Sequence, residues 1–194
     1  MGWNIINSIA DSEIIHSLVE KNRVIPGIVN KLTVNKTWEE GSSRRGVFLD
    51  DWVVLKFAYR PTPFDLAQQV LEGRIYEKCP NLPIAKCKLF SNDGFLTILM
   101  ERVAPIKFGD VPYEIMPHFD RNKKGSLEHD AQRQCGLTKD GRVVAYDYGV
   151  EDAFVEDGSL GIYVDSLPPL TAQSIIDFTN FVKNPVNSNL VIAP

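Results

Sequence analysis

Short apolar segments joined by tight turns most strongly limit what this chain can fold into. Three pairs of segments show the pattern: GVFL and WVVLKFA around Asp50-Asp51, IAKCKLF and FLTILMERV around residues 91–94, and the two arms of GLTKDGRVVAYDYG around Asp140-Gly141. Turn residues between apolar runs of this length are typical of β-hairpins. Because hairpins pair their strands antiparallel, the pattern predicts an antiparallel sheet and disfavours a doubly wound parallel one.

Two longer segments have the apolar spacing of helices with one buried face. Residues 64–79 place apolar side chains three and four positions apart, and residues 171–183 begin with Thr171, a residue type that caps helices. Residues 5–20 have a partly helical spacing. The polar, β-branched residues 29–41 are expected to be extended. The order of sheet, helix, hairpin, irregular connection, hairpin and final helix predicts an α+β fold.

The composition excludes several classes of partner. Of the 194 residues 44% are hydrophobic and 24% charged, and the formal net charge is −4. This balance provides no basic surface for nucleic acid or for an anionic membrane. No apolar run approaches the roughly 18 residues that span a bilayer. The N-terminus lacks the features of a secretory signal and the three cysteines are an odd number, so a cytoplasmic, reducing location is expected.

A lysine inside an apolar strand is the first candidate for chemistry. Lys56 stands within VVLKFA, and lysines are rarely buried unless they are paired. Glu72 lies on the next predicted helix near its apolar stripe, so its carboxylate could face the lysine and fix it to grip a phosphate. In the alternative interpretation Lys56 sits at the wet end of an alternating strand and Glu72 is one of several surface acids.

A glycine-bounded segment and two aspartates complete the set of candidates. Gly41, Ser42 and Ser43 open the stretch GSSRRG, which can form a loop whose amides approach an anion. Asp130 lies before the last hairpin and Asp147 lies at its end. One of these carboxylates could coordinate the Mg²⁺ of a nucleotide while the other orients or deprotonates an attacking hydroxyl. Two aspartates of turns or caps are the alternative.

In this order the residues resemble the protein-kinase-like fold, including the aminoglycoside phosphotransferases. The phrases that carry the resemblance are GSSRRGVFLDDWVVLK, AQQVLEGRIYE, ILMERVAPI and GLTKDGRVVAYDYG, and they are most similar to small kinase-like proteins of bacteriophages. The resemblance covers roughly residues 38–150. It implies an antiparallel N-lobe sheet with one key helix in residues 1–103 and a strongly reduced C-lobe in residues 104–194.

The resemblance implies a nucleotide-binding role for residues of the N-lobe. Lys56 would contact the α- and β-phosphates of ATP, and Glu72 would be its helix partner. The loop of Gly41, Ser42 and Ser43 would lie near the phosphates. The segment 100–103 would be the hinge that receives the adenine through backbone groups, among them those of Glu101 and Val103.

The resemblance implies catalytic roles for the two aspartates, but the chain departs from the family around them. Asp147 would bind Mg²⁺ as the first residue of an Asp-Tyr-Gly sequence, and Asp130 would be the catalytic base. The family has a metal-binding Asn five residues after that base, where this chain has Cys135. A neutral thiol is a poor ligand for Mg²⁺, which prefers hard oxygen donors.

Two functions follow from the resemblance. A kinase-like protein would bind ATP and Mg²⁺ and transfer phosphate to an acceptor that the sequence does not name. A protein of the same fold that has lost catalysis would be a pseudokinase-like scaffold for a host or viral protein partner, in the host cytoplasm if the chain is viral. An unrelated α+β interaction protein without a nucleotide is the third interpretation.

Overall fold

A computed structural model describes residues 9–40, 44–79, 81–119, 132–147 and 163–184. Its main helices are α1 (Glu13–Lys21), α2 (Gly27–Thr33), α3 (Pro63–Lys78) and α4 (Ala172–Lys183). Its strands are β1 (Trp38–Glu40), β2 (Arg44–Phe48), β3 (Val53–Ala58), β4 (Cys87–Asn92), β5 (Phe95–Glu101), β6 (Val103–Pro105), β7 (Cys135–Thr138) and β8 (Val143–Ala145). Two 3₁₀ segments, Phe108–Asp110 and Tyr113–Phe119, follow β6.

The strands form two antiparallel sheets. The larger sheet has the order β1-β2-β3-β5-β4, and the smaller one has the order β6-β7-β8. Asp93 and Gly94, which join β4 to β5, have φ angles of 54° and 89°. Two successive positive φ angles are what a tight two-residue hairpin turn needs. The α+β class and the antiparallel sheet predicted from the sequence are therefore confirmed.

Helix α3 covers one face of the larger sheet, and α1 packs against α3. The helix begins with a capping box in which Thr62 Oγ1 accepts a hydrogen bond from Asp65 N and Asp65 Oδ2 accepts one from Thr62 N. Such a cap satisfies two backbone amides that have no partner inside the helix. The buried residues of this layer include Leu66, Val70, Ile75, Leu89, Leu96 and Ile98.

Helices α2 and α4 cover the opposite face of the same sheet. Val53, Leu55 and Phe57 alternate along β3 and pack with Val29 of α2 and with Phe178 and Val182 of α4. Lys86 Nζ donates hydrogen bonds to the backbone oxygens of Phe181 and Val182 near the end of α4. The C-terminal helix therefore belongs to the core of the larger sheet. The predicted lobe boundary after residue 103 stays a prediction.

One local prediction was partly wrong. Residues 29–41 were expected to be extended, and Trp38–Glu40 are, but residues 29–33 belong to α2. Val29 is fully buried and Ile28 and Leu32 pack beside it, so burial of one helical face outweighs the weak helix propensity of β-branched residues. Within the described ranges, the helices are too short or too polar to cross a membrane.

Candidate functional site

Four charged side chains from four separate segments meet on the α3 face of the larger sheet. They are Arg44 of β2, Lys56 of β3, Glu72 of α3 and Asp147, which follows β8, and they are called the Arg44 cluster below. Three of them, Lys56, Glu72 and Asp147, were predicted site residues. Charged side chains are rarely buried together unless they pair with one another, so this cluster is a candidate functional site.

The strand register places Arg44 and Lys56 on one face. In the β2–β3 pair, Arg44 lies opposite Ala58 and Gly46 lies opposite Lys56. Because side chains alternate along a strand, Arg44 and Gly46 point to the same side as Lys56. A Cβ atom at Gly46 would lie 3.4 Å from Val54 Cγ1, so this position has little room for a side chain.

Helix α3 brings Glu72 into this layer because it approaches the sheet closely. A Cβ atom at Gly73 would lie 2.8 Å from the Cβ of Leu89, closer than side chains normally pack. Gly73 therefore permits the approach of helix and sheet. The side chain of its neighbour Glu72 is 0% exposed as a result.

Three backbone hydrogen bonds fix the end of β8 and the residue before Asp147. Ala145 N donates to Pro83 O and Ala85 N donates to Ala145 O, each at 2.8 Å. Tyr146 N then donates to Gln134 O at 2.9 Å. Because the backbone of Ala145 and Tyr146 is hydrogen-bonded to two other segments, Asp147, two residues after β8, is positioned at the cluster.

Arg44 bridges the two carboxylates. Its Nη1 lies 2.7 Å from Glu72 Oε2, and its Nη2 donates to Asp147 Oδ1. Lys56 Nζ donates to the backbone oxygen of Tyr146 at 2.6 Å. The direct ion-pair partner of Glu72 is thus Arg44 rather than the predicted Lys56, although Lys56 is close enough to act on the Glu72 charge. Gln68 Nε2 also donates to Asp147 Oδ1, at 3.4 Å.

The cluster shifts the proton affinities of its members in opposite directions. Burial raises the pKa of Glu72, although the charges of Arg44 and Lys56 oppose the rise. Burial lowers the pKa of Lys56, with Glu72 opposing. For Asp147 burial alone would raise the pKa, but Arg44 and Lys56 outweigh it and lower the value. Asp147 is therefore the firmly ionised acid of the pair, and its side chain, 27% exposed, faces the solvent side of the cluster.

The residues present do not fit a resident Mg²⁺ ion while Arg44 keeps this position. Mg²⁺ requires several oxygen ligands in near-octahedral geometry. Glu72 and Asp147 each turn an oxygen to the guanidinium of Arg44. Across the described residues, no group of three His, Cys, Asp or Glu side chains could hold a metal ion. Cys135 is buried, and burial raises the pKa of its thiol to about 11, so it stays protonated.

The predicted hinge residues lie at the junction of the two sheets. Glu101, at the end of β5, is buried, and its backbone N donates to Lys86 O at 2.8 Å. Its carboxylate accepts hydrogen bonds from Arg142 Nη2 at 2.6 Å and from Lys86 N at 3.2 Å. Val103 begins β6 and pairs with Thr138 of β7. These contacts give Glu101 a role in joining the sheets, and adenine binding at 100–103 stays a prediction.

Several other predicted residues lie outside the described ranges. Gly41, Ser42 and Ser43, the proposed anion-binding loop, directly precede β2 in the chain, and Asp130, the proposed base, precedes β7. Their predicted roles are untested by the structure.

Arg44 is the functional candidate that reasoning from the sequence missed. In the sequence Arg44 belongs to the stretch GSSRRG, which predicts a loop approaching an anion and does not single out this side chain. The available signal was the pair Arg44-Arg45 at the start of a strand: with side chains alternating, one of two consecutive arginines must face the same side as Lys56.

Comparisons with known proteins add no assignment. No protein-family model matches the chain, and no curated protein matches it. The interpretation of the Arg44 cluster therefore rests on its own geometry and chemistry.

Proposed function

We propose that this protein binds the phosphate groups of ATP, or of a related nucleotide, at the Arg44 cluster in a kinase-like arrangement. One observation carries the proposal. Lys56, Glu72 and Asp147, predicted from three distant segments, lie in one cluster: Arg44 contacts both carboxylates, and Lys56 Nζ binds the backbone oxygen of the residue before Asp147.

The surroundings of the cluster support an anionic ligand. Lys56 and Arg44 supply two cations on one face of the sheet, and guanidinium and ammonium groups are the usual protein ligands of phosphate. The cluster reaches solvent at Asp147, so a ligand can approach from that side. Residues 41–43, the predicted loop, are joined directly to Arg44 in the chain.

Phosphate transfer to an acceptor would be the enzymatic extension of this proposal. In that extension Asp130 takes the proton of the acceptor hydroxyl, as the resemblance implies. Incubation with γ-labelled ATP and candidate acceptors should give label transfer that Asp130→Ala abolishes. Equal transfer by both proteins would remove Asp130 from the mechanism.

Thermal unfolding in the presence of ATP tests the binding itself. A ligand selective for the folded state at about 100 times its Kd adds about 2.7 kcal/mol of stability. For a domain of this size that corresponds to a rise in Tm of roughly 5–10 °C. Lys56→Met should remove the rise, because it removes one of the two cations proposed to bind the phosphates.

The matched control is Lys88→Met, which removes an exposed lysine from β4, at the edge of the same sheet. This variant should keep the full rise in Tm. No rise for the wild-type protein at saturating ATP would contradict nucleotide binding.

A second candidate function is that of a scaffold that binds a protein partner without a nucleotide. The observation that favours it is the internal balance of the Arg44 cluster, in which two basic and two acidic groups neutralise one another. A protein whose Tm does not respond to ATP, and whose Arg44 and Lys56 variants change only its stability, would fit the scaffold and not the nucleotide-binding protein.

A further inference from the structure

We infer that Arg44 takes the place of a metal ion at this site, so that the protein binds anionic phosphate groups without a divalent cation. The inference rests on the proposed function and concerns how the same site achieves it. A bound Mg²⁺ would be expected between the nucleotide phosphates and the carboxylate of Asp147. In the structure the charge beside that carboxylate belongs to Arg44.

The geometry of Arg44 suits this role. A guanidinium is planar, stays protonated and has five N–H donors. One nitrogen of Arg44 faces Glu72 and another faces Asp147. Each terminal nitrogen carries two hydrogens. Nη1 is buried against Glu72, but Nη2 lies beside the partly exposed Asp147 and has a second N–H for a phosphate oxygen.

Displacing Arg44 by a metal ion would be unfavourable. The Arg44 side chain is 9% exposed and Glu72 is fully buried. Moving the arginine away would leave a buried cation without its two acidic partners, which is among the largest electrostatic penalties in proteins. Mg²⁺ also gives up its water ligands reluctantly. A covalently attached arginine therefore has the advantage over a dissolved ion.

Nucleotide titration with and without metal is the first test. Binding of a non-hydrolysable ATP analogue is measured by calorimetry in excess Mg²⁺ and in excess EDTA. The inference predicts Kd values that agree within about threefold. An analogue that binds only with Mg²⁺, or at least tenfold more tightly with it, would overturn the inference and leave the proposed function standing.

The sign of the Asp147→Asn effect is the second test. If Arg44 supplies the cation, removing the Asp147 charge removes a repulsion of the phosphates, and the analogue should bind about threefold more tightly in either buffer. If Asp147 coordinates a metal, the same change should weaken binding in Mg²⁺ by more than tenfold. The matched control is Asp140→Asn. Asp140 lies at the turn of the β7–β8 hairpin and is about as exposed as Asp147, and its substitution should leave Kd unchanged.

Uptake of Mn²⁺ by the protein without nucleotide is an independent test. Free Mn²⁺ is followed by its electron paramagnetic resonance signal. Arg44→Gln leaves two carboxylates, Glu72 and Asp147, that can hold Mn²⁺ with water completing its coordination, so it should take up Mn²⁺ that Arg44→Gln/Asp147→Asn does not. The wild-type protein and Arg45→Gln, which removes the next arginine on the opposite side of β2, should take up none. Uptake by the wild-type protein at Asp147 would overturn the inference.

These tests separate failure of the inference from failure of the proposed function. An analogue that binds in neither buffer contradicts nucleotide binding, and the Mn²⁺ experiment then still decides whether Arg44 occupies the metal position. If Arg44→Gln does not fold, Asp147→Asn still tests the inference in a protein that retains Arg44. Tighter binding of the analogue in Mg²⁺ supports the inference, and weaker binding contradicts it.

Discussion

Two arginine–carboxylate clusters join the β7–β8 hairpin to the larger sheet, and they differ in how fully they are satisfied. The Arg44 cluster lies where β8 ends. The Glu101 cluster, formed by Lys86, Glu101, Asp140 and Arg142, lies nearer the turn of the same hairpin. In the Glu101 cluster each carboxylate oxygen of Glu101 accepts a hydrogen bond, one from Arg142 and one from the backbone of Lys86.

Glu72 is in a different situation. Within the described part of the chain, neither of its buried oxygens accepts a hydrogen bond of regular geometry, and its contact with Arg44 is an ion pair. A buried carboxylate without hydrogen bonds depends more strongly on its ion-pair partner than one that also accepts from a backbone amide. The comparison therefore separates a carboxylate fixed by hydrogen bonds at Glu101 from one held by an ion pair at Glu72.

Removing Arg44 should have the largest effect on stability. Arg44→Met leaves Glu72 buried without its ion-pair partner, and breaking a buried pair in this way costs about 3–5 kcal/mol. Urea denaturation should show a lower midpoint with an unchanged slope. A loss below about 1 kcal/mol would mean that Glu72 is protonated and held by other contacts, and would remove the distinction between the clusters.

Removing Arg142 should have a smaller effect. The Arg142 side chain is 38% exposed, and Glu101 keeps its hydrogen bond from Lys86 N in Arg142→Met. Solvent screening and the remaining bond reduce the expected cost to about 1–2 kcal/mol. The same denaturation experiment measures it. A loss equal to that of Arg44→Met would show that the two clusters are equally dependent on their arginines.

The pH dependence of stability should single out Glu72. Because burial raises its pKa above the ordinary value of 4.5, the folded state binds more protons than the unfolded state above that pH. Between pH 4.5 and the raised pKa of Glu72 in the folded state, ionisation of Glu72 therefore lowers the stability of the wild-type protein as pH rises. Glu72→Gln cannot ionise, so its free energy of unfolding relative to wild type should rise over the same window. Parallel curves for the two proteins would show that Glu72 does not titrate abnormally.

The smallest effect is expected at Arg45, which lies outside both clusters. Its guanidinium stacks on the rings of Trp38 and Tyr59, with centroid distances of 4.4 and 4.1 Å, and pairs with Glu40 at the surface. Exposed contacts of this kind contribute about 0.5–1 kcal/mol. Arg45→Met should lower the unfolding free energy by no more than that. A larger loss would show that removing either positive charge from β2 destabilises the protein. The loss expected for Arg44→Met could then not be assigned to the burial of Arg44.

Local signals predicted most of the fold, and long-range packing accounts for what they missed. A few neighbouring residues determine each of three local signals: the turn at Asp93-Gly94, the turn at Asp140-Gly141 and the cap at Thr171. The structure has β4–β5, β7–β8 and α4 at the positions that these signals predict. Helix α2 was missed because burial of Val29 against a distant sheet decides its conformation. Arg44 was missed because its partners are 28 and 103 residues away in the chain, and no local pattern names them.

The position of α4 has a consequence for the order in which the protein can fold during synthesis. The strands of the larger sheet are complete by Glu101, yet Leu170, Phe178 and Val182 close one of its faces. A nascent chain that has emerged only as far as β8 has α2 but not α4 on this face, so the contacts of β3 with Phe178 and Val182 cannot yet form. Helix α4 completes a layer that the first strands begin, so this face of the sheet cannot be closed before residues 172–183 are synthesised.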